Sequence, residues 1–349
     1  MAAPLRHFLV IRLSAMGDVV LAAQVIRQVL AQHEDVVLHI ITRPTYQAFF
    51  KGVERVYFVT PDIYGKHKGF FGLNRLAREI RQTQAIDGVI DLHDVLRSII
   101  LRSHFALRGI PTYHIEKDRK ARKALTRKED KDYSPLQSII ERMGAVFQQA
   151  GLHLQTVPYA SYAEDYPFTV SLPTGTRIGI APSASTQEKT YPRQHMRKVV
   201  AMLLTQGHHI YAFGGGKKDL DIWEDWQTLE GADSLHNVMR DHSLADQLAL
   251  MTQMTLMLTM DSSNMHMARL LGVPVLSIWG ATHPAGGYAP FGVEDEGMLI
   301  QMPVENVPCR PCSIFGNKAC FRDRMYCLED IQPEDVVDRV KEYATKLSA

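Results

Sequence analysis

Three short turns in this 349-residue chain carry side chains whose types and spacing could do chemistry. The first is the run Ile11-Arg12-Leu13-Ser14-Ala15-Met16-Gly17-Asp18, where a carboxylate follows a small-residue turn. A carboxylate ionised at neutral pH can take a proton from a hydroxyl, which makes Asp18 a candidate general base. The helix dipole also favours an acid in a first turn, so the run by itself leaves both roles open. The second turn, residues 181–192, contains Ser185 and Lys189. Hydroxyls can donate to phosphate oxygens and a lysine adds a point charge, although the glycine-lysine-hydroxyl spacing of a P-loop is absent. The third turn is Asp261-Ser262-Ser263, with His266 one helical turn further on. Free backbone N–H groups at a helix start can hold a diphosphate there, and Asp and Ser are equally ordinary helix caps. His266 is placed either to face a ligand or to brace the turn.

Such turns serve one site only if the fold brings them to the same kind of sheet edge. Aliphatic and β-branched runs at 8–13, 36–41, 56–59 and 88–91 alternate with helical spacings at 19–32 and 73–82. In the first of these helices Val19, Ala22, Ala23, Ile26 and Leu30 share one face, as packing on a sheet requires. The alternation predicts βαβ units around a parallel sheet, whose loops at the carboxyl ends of the strands bind ligands. It restarts after a stretch at 152–173 that has neither period, with strands predicted at 177–181, 209–213, 256–259 and 274–279. Helices are predicted between them at 193–206, 218–229 and 263–271. Two domains are expected, 1–165 and 166–330, with a last helix in 331–349 packing back on the first. The first turn lacks GxGxxG, so no dinucleotide fingerprint is present.

A net charge of +1 supplies no basic field for nucleic acid, so an anionic partner has to be met locally. Residues 117–131 hold eight Lys or Arg against Asp118, Glu129 and Asp130, a run that is usually a solvated surface. Arg12 and Asp18 interrupt the apolar N-terminal run short of a membrane-spanning length, and it reads as a buried strand rather than a signal peptide. All four cysteines, Cys309, Cys312, Cys320 and Cys327, fall in one segment, which argues against a disulfide-stapled scaffold. A CxxC pair followed by two more cysteines is compatible with a tetrahedral structural zinc, with reduced thiols or an adventitious disulfide as the alternatives.

The SAMGD turn, the segment Val89-Ile90-Asp91-Leu92-His93 and the block DSSNMHMARLLGVPVLSIWGATHP together resemble the family-9 glycosyltransferases, best known for the lipopolysaccharide heptosyltransferases. The resemblance implies an α/β fold of the GT-B kind, two Rossmann-like domains facing each other across a cleft. It also implies an inverting transfer that requires no metal or other cofactor, with the acceptor on the N-terminal side and the donor on the second domain. Asp18 is then the catalytic base, Lys189 the contact to the donor diphosphate, and Ser185 part of the loop leading to it. Asp261, Ser262, Ser263 and His266 fall on the donor-binding helix start. Ser263 stands where the family typically has glycine, which narrows the space for a phosphate oxygen, and Tyr191 stands where it has tryptophan. Related members also carry a cysteine-rich segment that is not catalytic.

The partners so implied are a nucleotide-diphosphate sugar, with ADP-heptose favoured, and a lipopolysaccharide-core or related glycolipid acceptor. Such an acceptor would favour basic residues nearby, Arg97 and Arg102 among them, and would place a cytoplasmic enzyme peripherally on the inner face of the membrane. A nucleotide-sugar epimerase of the same fold, needing acid and base groups on both faces of the sugar, is the alternative enzyme. A catalytically silent sugar-nucleotide-binding protein is the alternative from another class.

Overall fold

The computed structural model describes residues 4–155, 159–240, 242–292 and 296–348, and the chain divides into two units. The first is Met1–Lys117 with Gln137–Pro158, and the second is Asp118–Leu136 with Tyr159–Ala349. Of the expected linker at 152–173, residues 156–158 lie outside the described residues.

The first unit runs β1 (Arg6–Ile11), α1 (Met16–Gln32), β2 (Val36–Ile41), β3 (Val56–Val59), α2 (Gly69–Thr83), β4 (Gly88–Asp91), α3 (Leu96–Ala106) and β5 (Thr112–His114). Next comes α4 (Arg119–Leu125), which groups with the second unit, and then α5 (Ile139–Gln149), which returns to the first. The sheet is parallel throughout, in the order β3-β2-β1-β4-β5. All six residues of β2 are buried, because helices cover both faces of a parallel sheet and leave no wet side for alternation. α1 packs on α5, while α2 and α3 pack together and send Leu73, Leu76, Ile80, Leu101 and Phe105 into a core with Leu9 and Ile11.

The second unit continues with β6 (Arg177–Ile180), α6 (Arg193–Thr205), β7 (His209–Ala212), α7 (Lys217–Trp226), β8 (Leu235–Asn237), α8 (Leu244–Met251), β9 (Leu256–Met260), α9 (Ser263–Leu270), β10 (Val275–Trp279), β11 (Leu299–Gln301), α10 (Tyr326–Glu329) and α11 (Pro333–Ser348). Its parallel sheet has the order β11-β10-β9-β6-β7-β8. No helix among the described residues is long and apolar enough to cross a membrane.

Two features of domain organisation differ from expectation. Val336, Val337, Val340, Tyr343 and Ala344 place α11 in the core of the second unit beside α6, where it had been expected to pack back on the first domain. The basic run also leaves the first unit after Lys117. Lys131 Nζ donates to Pro311 O at 2.8 Å, the Tyr133 hydroxyl to the carbonyls of Pro308 and Arg310 at 3.2 Å, and Leu136 N to Ala285 O at 2.8 Å. These long-range bonds tie residues 118–136 to the cysteine-rich segment, which a division of the chain into consecutive stretches cannot express.

Candidate active site

In each sheet the strand order reverses once, and that is where an open α/β sheet leaves a crevice at its carboxyl edge. In the first unit the reversal lies between β1 and β4, which pair directly with Ile11 opposite Asp91. The loops after these two strands carry Asp18 and His93. Asp18 is the third residue of α1; its Oδ2 accepts from Ala15 N at 3.3 Å and is paired with the Arg12 guanidinium. Arg12 is buried, and its other terminal nitrogen donates to Leu92 O in the β4 loop. Asp18 is thus held by an arginine anchored to the β4 loop, a partner that the sequence alone does not assign.

His93 faces the same turn, with Nε2 and Ser14 Oγ hydrogen bonded at 3.4 Å. Burial first, and then the charges of Arg12, Lys117 and Arg97, push its pKa down to about 3, so the ring is neutral at neutral pH. The fully buried Asp91 shapes this loop: its Oδ1 accepts from His93 N and Asp94 N, both at 2.9 Å. Arg102, expected to meet the acceptor, is committed to ion pairs with Asp91 and Asp94, each at 3.1 Å, and so braces the loop. Arg97 is exposed in the first turn of α3.

In the second unit the reversal lies between β6 and β9, paired with Ile180 opposite Leu258. Lys189 comes from the loop after β6 and Asp261 from the loop after β9, and Lys189 Nζ lies 2.9 Å from Asp261 Oδ2 with only 12% and 7% of the two side chains exposed. The pair fixes the lysine ammonium beside Asp261, two residues before α9 begins. Ser262 is the N-cap of α9 and Ser263 its first residue. The Ser262 hydroxyl is buried and accepts no N–H of the helix, and His266 is buried one turn further on. Ser185 is exposed in the Lys189 loop.

Two neighbours of that loop went unnoticed in the sequence. Lys218, at the start of α7, donates to Thr190 Oγ1 at 3.1 Å, which adds a second cation beside the loop. Gly316 lies against the Lys189 stem, where a Cβ would come within 2.4 Å of Lys189 Cγ, so the cysteine-rich segment packs directly on Lys189. Tyr191, the departure from tryptophan, is buried and donates to Ile331 O at 2.7 Å, anchoring the end of the loop.

Cys309, Cys312, Cys320 and Cys327 line one pocket of the second unit. Burial, ahead of the neighbouring thiols, pushes the pKa of Cys312 up to about 11, and burial pushes that of Cys327 up to about 12. All four are free thiols, and among the described residues no group of three or more His, Cys, Asp or Glu stands in position to hold a metal ion. The completely buried Arg310 lies among them and donates to Gly280 O at 3.1 Å and Thr282 O at 3.0 Å, clamping the loop after β10. That loop in turn donates from Ala281 N to Glu188 O at 3.0 Å, next to Lys189.

Three histidines with depressed pKa, one buried and two half-buried, predict an acid limit to stability. Burial lowers the pKa of His39 to about 4, His93 to about 3 and His283 to about 4, all below the ordinary unfolded value. The unfolded chain therefore binds protons first, so the stabilisation is complete above about pH 6.5 and is lost progressively as pH falls below that value. Melting temperature should decline across this range, and His93→Asn should flatten part of the decline. A melting temperature independent of pH below 6.5 would contradict it.

Comparison with known proteins bears on the fold and the family. The family model for glycosyltransferase family 9 (heptosyltransferase) matches residues 73–311. Lipooligosaccharide heptosyltransferase 2 of Haemophilus influenzae is 30% identical over 128 residues, covering 36% of this chain and 36% of that protein. Its counterpart from Campylobacter jejuni serotype O:6 is 25% identical over 174 residues, covering 48% and 51%. The matched regions thus span about a third to a half of the length of these curated relatives. Among solved structures, a family-9 glycosyl transferase of Veillonella parvula superposes with a TM-score of 0.72 at 19% identity, over 99% of both chains. E. coli heptosyltransferase WaaC with ADP-2-deoxy-2-fluoro heptose gives 0.69 at 15% identity, over 96% of this chain and 99% of that one. At such identities the superpositions speak for the fold, two parallel α/β units of the GT-B kind, while the family model covers more than half of the sequence: the chain belongs to glycosyltransferase family 9.

Proposed function

We propose that this protein is an inverting glycosyltransferase that moves a heptose from ADP-heptose to a lipooligosaccharide or lipopolysaccharide-core acceptor, at the inner face of the cytoplasmic membrane. The observation that carries the reading is the Lys189–Asp261 ion pair, which sits at the strand-order reversal of the second unit beside the start of α9. A diphosphate leaving group gains charge as the glycosidic bond breaks, and a preorganised lysine together with helix N–H groups can stabilise it without a metal ion. On the acceptor side, Asp18 takes the hydroxyl proton while the oxygen attacks the anomeric carbon from the face opposite the nucleotide, which inverts the configuration. Arg12 fixes the carboxylate for that transfer, and the neutral His93 can hydrogen bond to the acceptor.

The test is product analysis with purified enzyme, ADP-heptose and a delipidated core acceptor, with and without EDTA. Formation of the inverted glycoside at a rate unaffected by EDTA is expected. Strict dependence on a divalent ion would overturn the metal-free mechanism, interconversion of free donor without acceptor would indicate an epimerase, and absence of donor turnover would indicate a binding protein.

A structural zinc on Cys309, Cys312, Cys320 and Cys327 is a further part of this reading, supported by their common pocket. The thiols would have to draw closer together to bind it, since among the described residues no three of them stand in position to hold an ion. Elemental analysis of protein purified without added metal should then find about one equivalent per chain. Metal-free protein with an unchanged melting temperature would reject the zinc.

A further inference from the structure

The first unit exposes several large apolar side chains at, or a few residues before, the starts of two helices at its carboxyl edge. Tyr64 is 73% exposed, Phe70 60%, Phe71 84% and Leu96 74%. Phe70 and Phe71 open α2, Leu96 opens α3, and the two helices run parallel and in contact. His104 Nδ1 and Asn74 Oδ1 meet at 3.0 Å, and from that contact Phe70 lies about one turn and Leu96 about two turns toward the same edge. Both helices follow strands of the sheet whose β1 and β4 loops carry Asp18 and His93. Scattered single apolar residues on a surface are ordinary, but three at two neighbouring helix starts, with Tyr64 in the loop before one of them, form a patch.

The charge around the patch identifies what it meets. A helix start favours acids, yet the first turns of α2 and α3 contain none. Instead Lys66 and Lys68 precede Phe70, and Arg97 follows Leu96, all exposed. The nearby acids are already engaged: Asp62 accepts from Gly65 N at 2.8 Å and Lys66 N at 2.9 Å, and Glu79 pairs with Lys66 at 2.8 Å and His67 at 3.1 Å. Aromatic side chains flanked by cations, at helix ends whose dipole adds positive charge, match the headgroup layer of an anionic bilayer, where rings settle at the interface and Lys or Arg meet phosphates.

We infer that the Tyr64, Phe70, Phe71 and Leu96 edge docks the protein onto an anionic phospholipid membrane, with Lys68 and Arg97 toward the lipid phosphates. The inference rests on the reading above that the acceptor is a glycolipid; docking through this edge brings the Asp18 turn to the surface in which such an acceptor is embedded.

The test uses the full chain and the double variant Phe70→Ser/Phe71→Ser, exposed positions that leave the core intact. Cosedimentation is measured with vesicles of phosphatidylcholine alone and of phosphatidylcholine mixed with phosphatidylglycerol. The wild type should bind the mixed vesicles, more weakly at high salt, and the variant should lose about tenfold or more in binding. The variant should still transfer sugar to a delipidated, water-soluble acceptor. Absence of wild-type binding, equal binding by the variant, or a lipid-free change in oligomeric state between the two proteins would overturn the inference. Loss of transfer to the soluble acceptor would overturn it too, by placing the aromatics against the acceptor itself. Because soluble-acceptor transfer is scored separately, failure of docking leaves the assignment of the reaction standing.

Discussion

Replacing Asp18 by Asn is expected to lower turnover by about 10²-fold or more while donor affinity stays nearly unchanged. The amide keeps the shape of the side chain and can still accept from Ala15 N, so α1 should start as before. What it loses is basicity and the charge paired with Arg12. Because Arg12 is buried and anchored to Leu92 O, the variant leaves a guanidinium with one fewer partner, and some loss of stability should accompany the loss of rate. Steady-state kinetics on donor and acceptor, with a melting curve beside them, separate the two effects. A variant that keeps most of its turnover would reduce Asp18 to a helix-capping acid held by an arginine.

The second large effect is at Lys189, where substitution by Ala should reduce kcat/KM by roughly 2 to 4 kcal/mol, about 30- to 1000-fold. The charge on the leaving diphosphate grows toward the transition state, so the loss should fall mainly on kcat. The structure adds a complication, since removing the lysine strands the carboxylate of Asp261 in a dry setting and destabilises the fold as well. The double variant Lys189→Ala/Asp261→Asn resolves this, because neutralising the stranded partner should restore the melting temperature without restoring turnover. Recovery of both would make the pair a structural bridge with no part in leaving-group stabilisation.

Legibility differed among the elements for physical reasons. β2, β3 and β4 agree with expectation to the residue: β2 and β4 are buried along their whole length, and β3, an edge strand with Tyr57 exposed, is legible from its β-branched and aromatic residues. β5, β8 and β11 are three residues each at or near sheet edges and were not predicted, since pairing such as Val89 with Thr112 is decided by the neighbouring strand. α5 carries its own start signal in the sequence: Ser138 and Glu141 form a reciprocal capping box, with Ser138 N donating to Glu141 at 2.9 Å.

The candidate site divides the same way. Asp18, Lys189 and the Asp261–Ser263 start were legible because a loop that leaves a strand and opens a helix must emerge at the carboxyl edge of a parallel sheet, whatever the rest of the chain does. Alternation of local periods therefore determined the architecture and the edge on which each candidate lies. Only the tertiary structure paired Asp18 with Arg12, brought His93 to Ser14, committed Arg102 to Asp91 and Asp94, and closed Lys189 onto Asp261. Strand order decides those meetings: β1 lies beside β4 and β6 beside β9, although 76 residues separate Ile11 from Gly88 and 75 separate Ile180 from Leu256 in the chain. Local propensity and burial period do not encode which distant strand becomes a neighbour, because that choice follows from the packing of whole helices on both faces of the sheet.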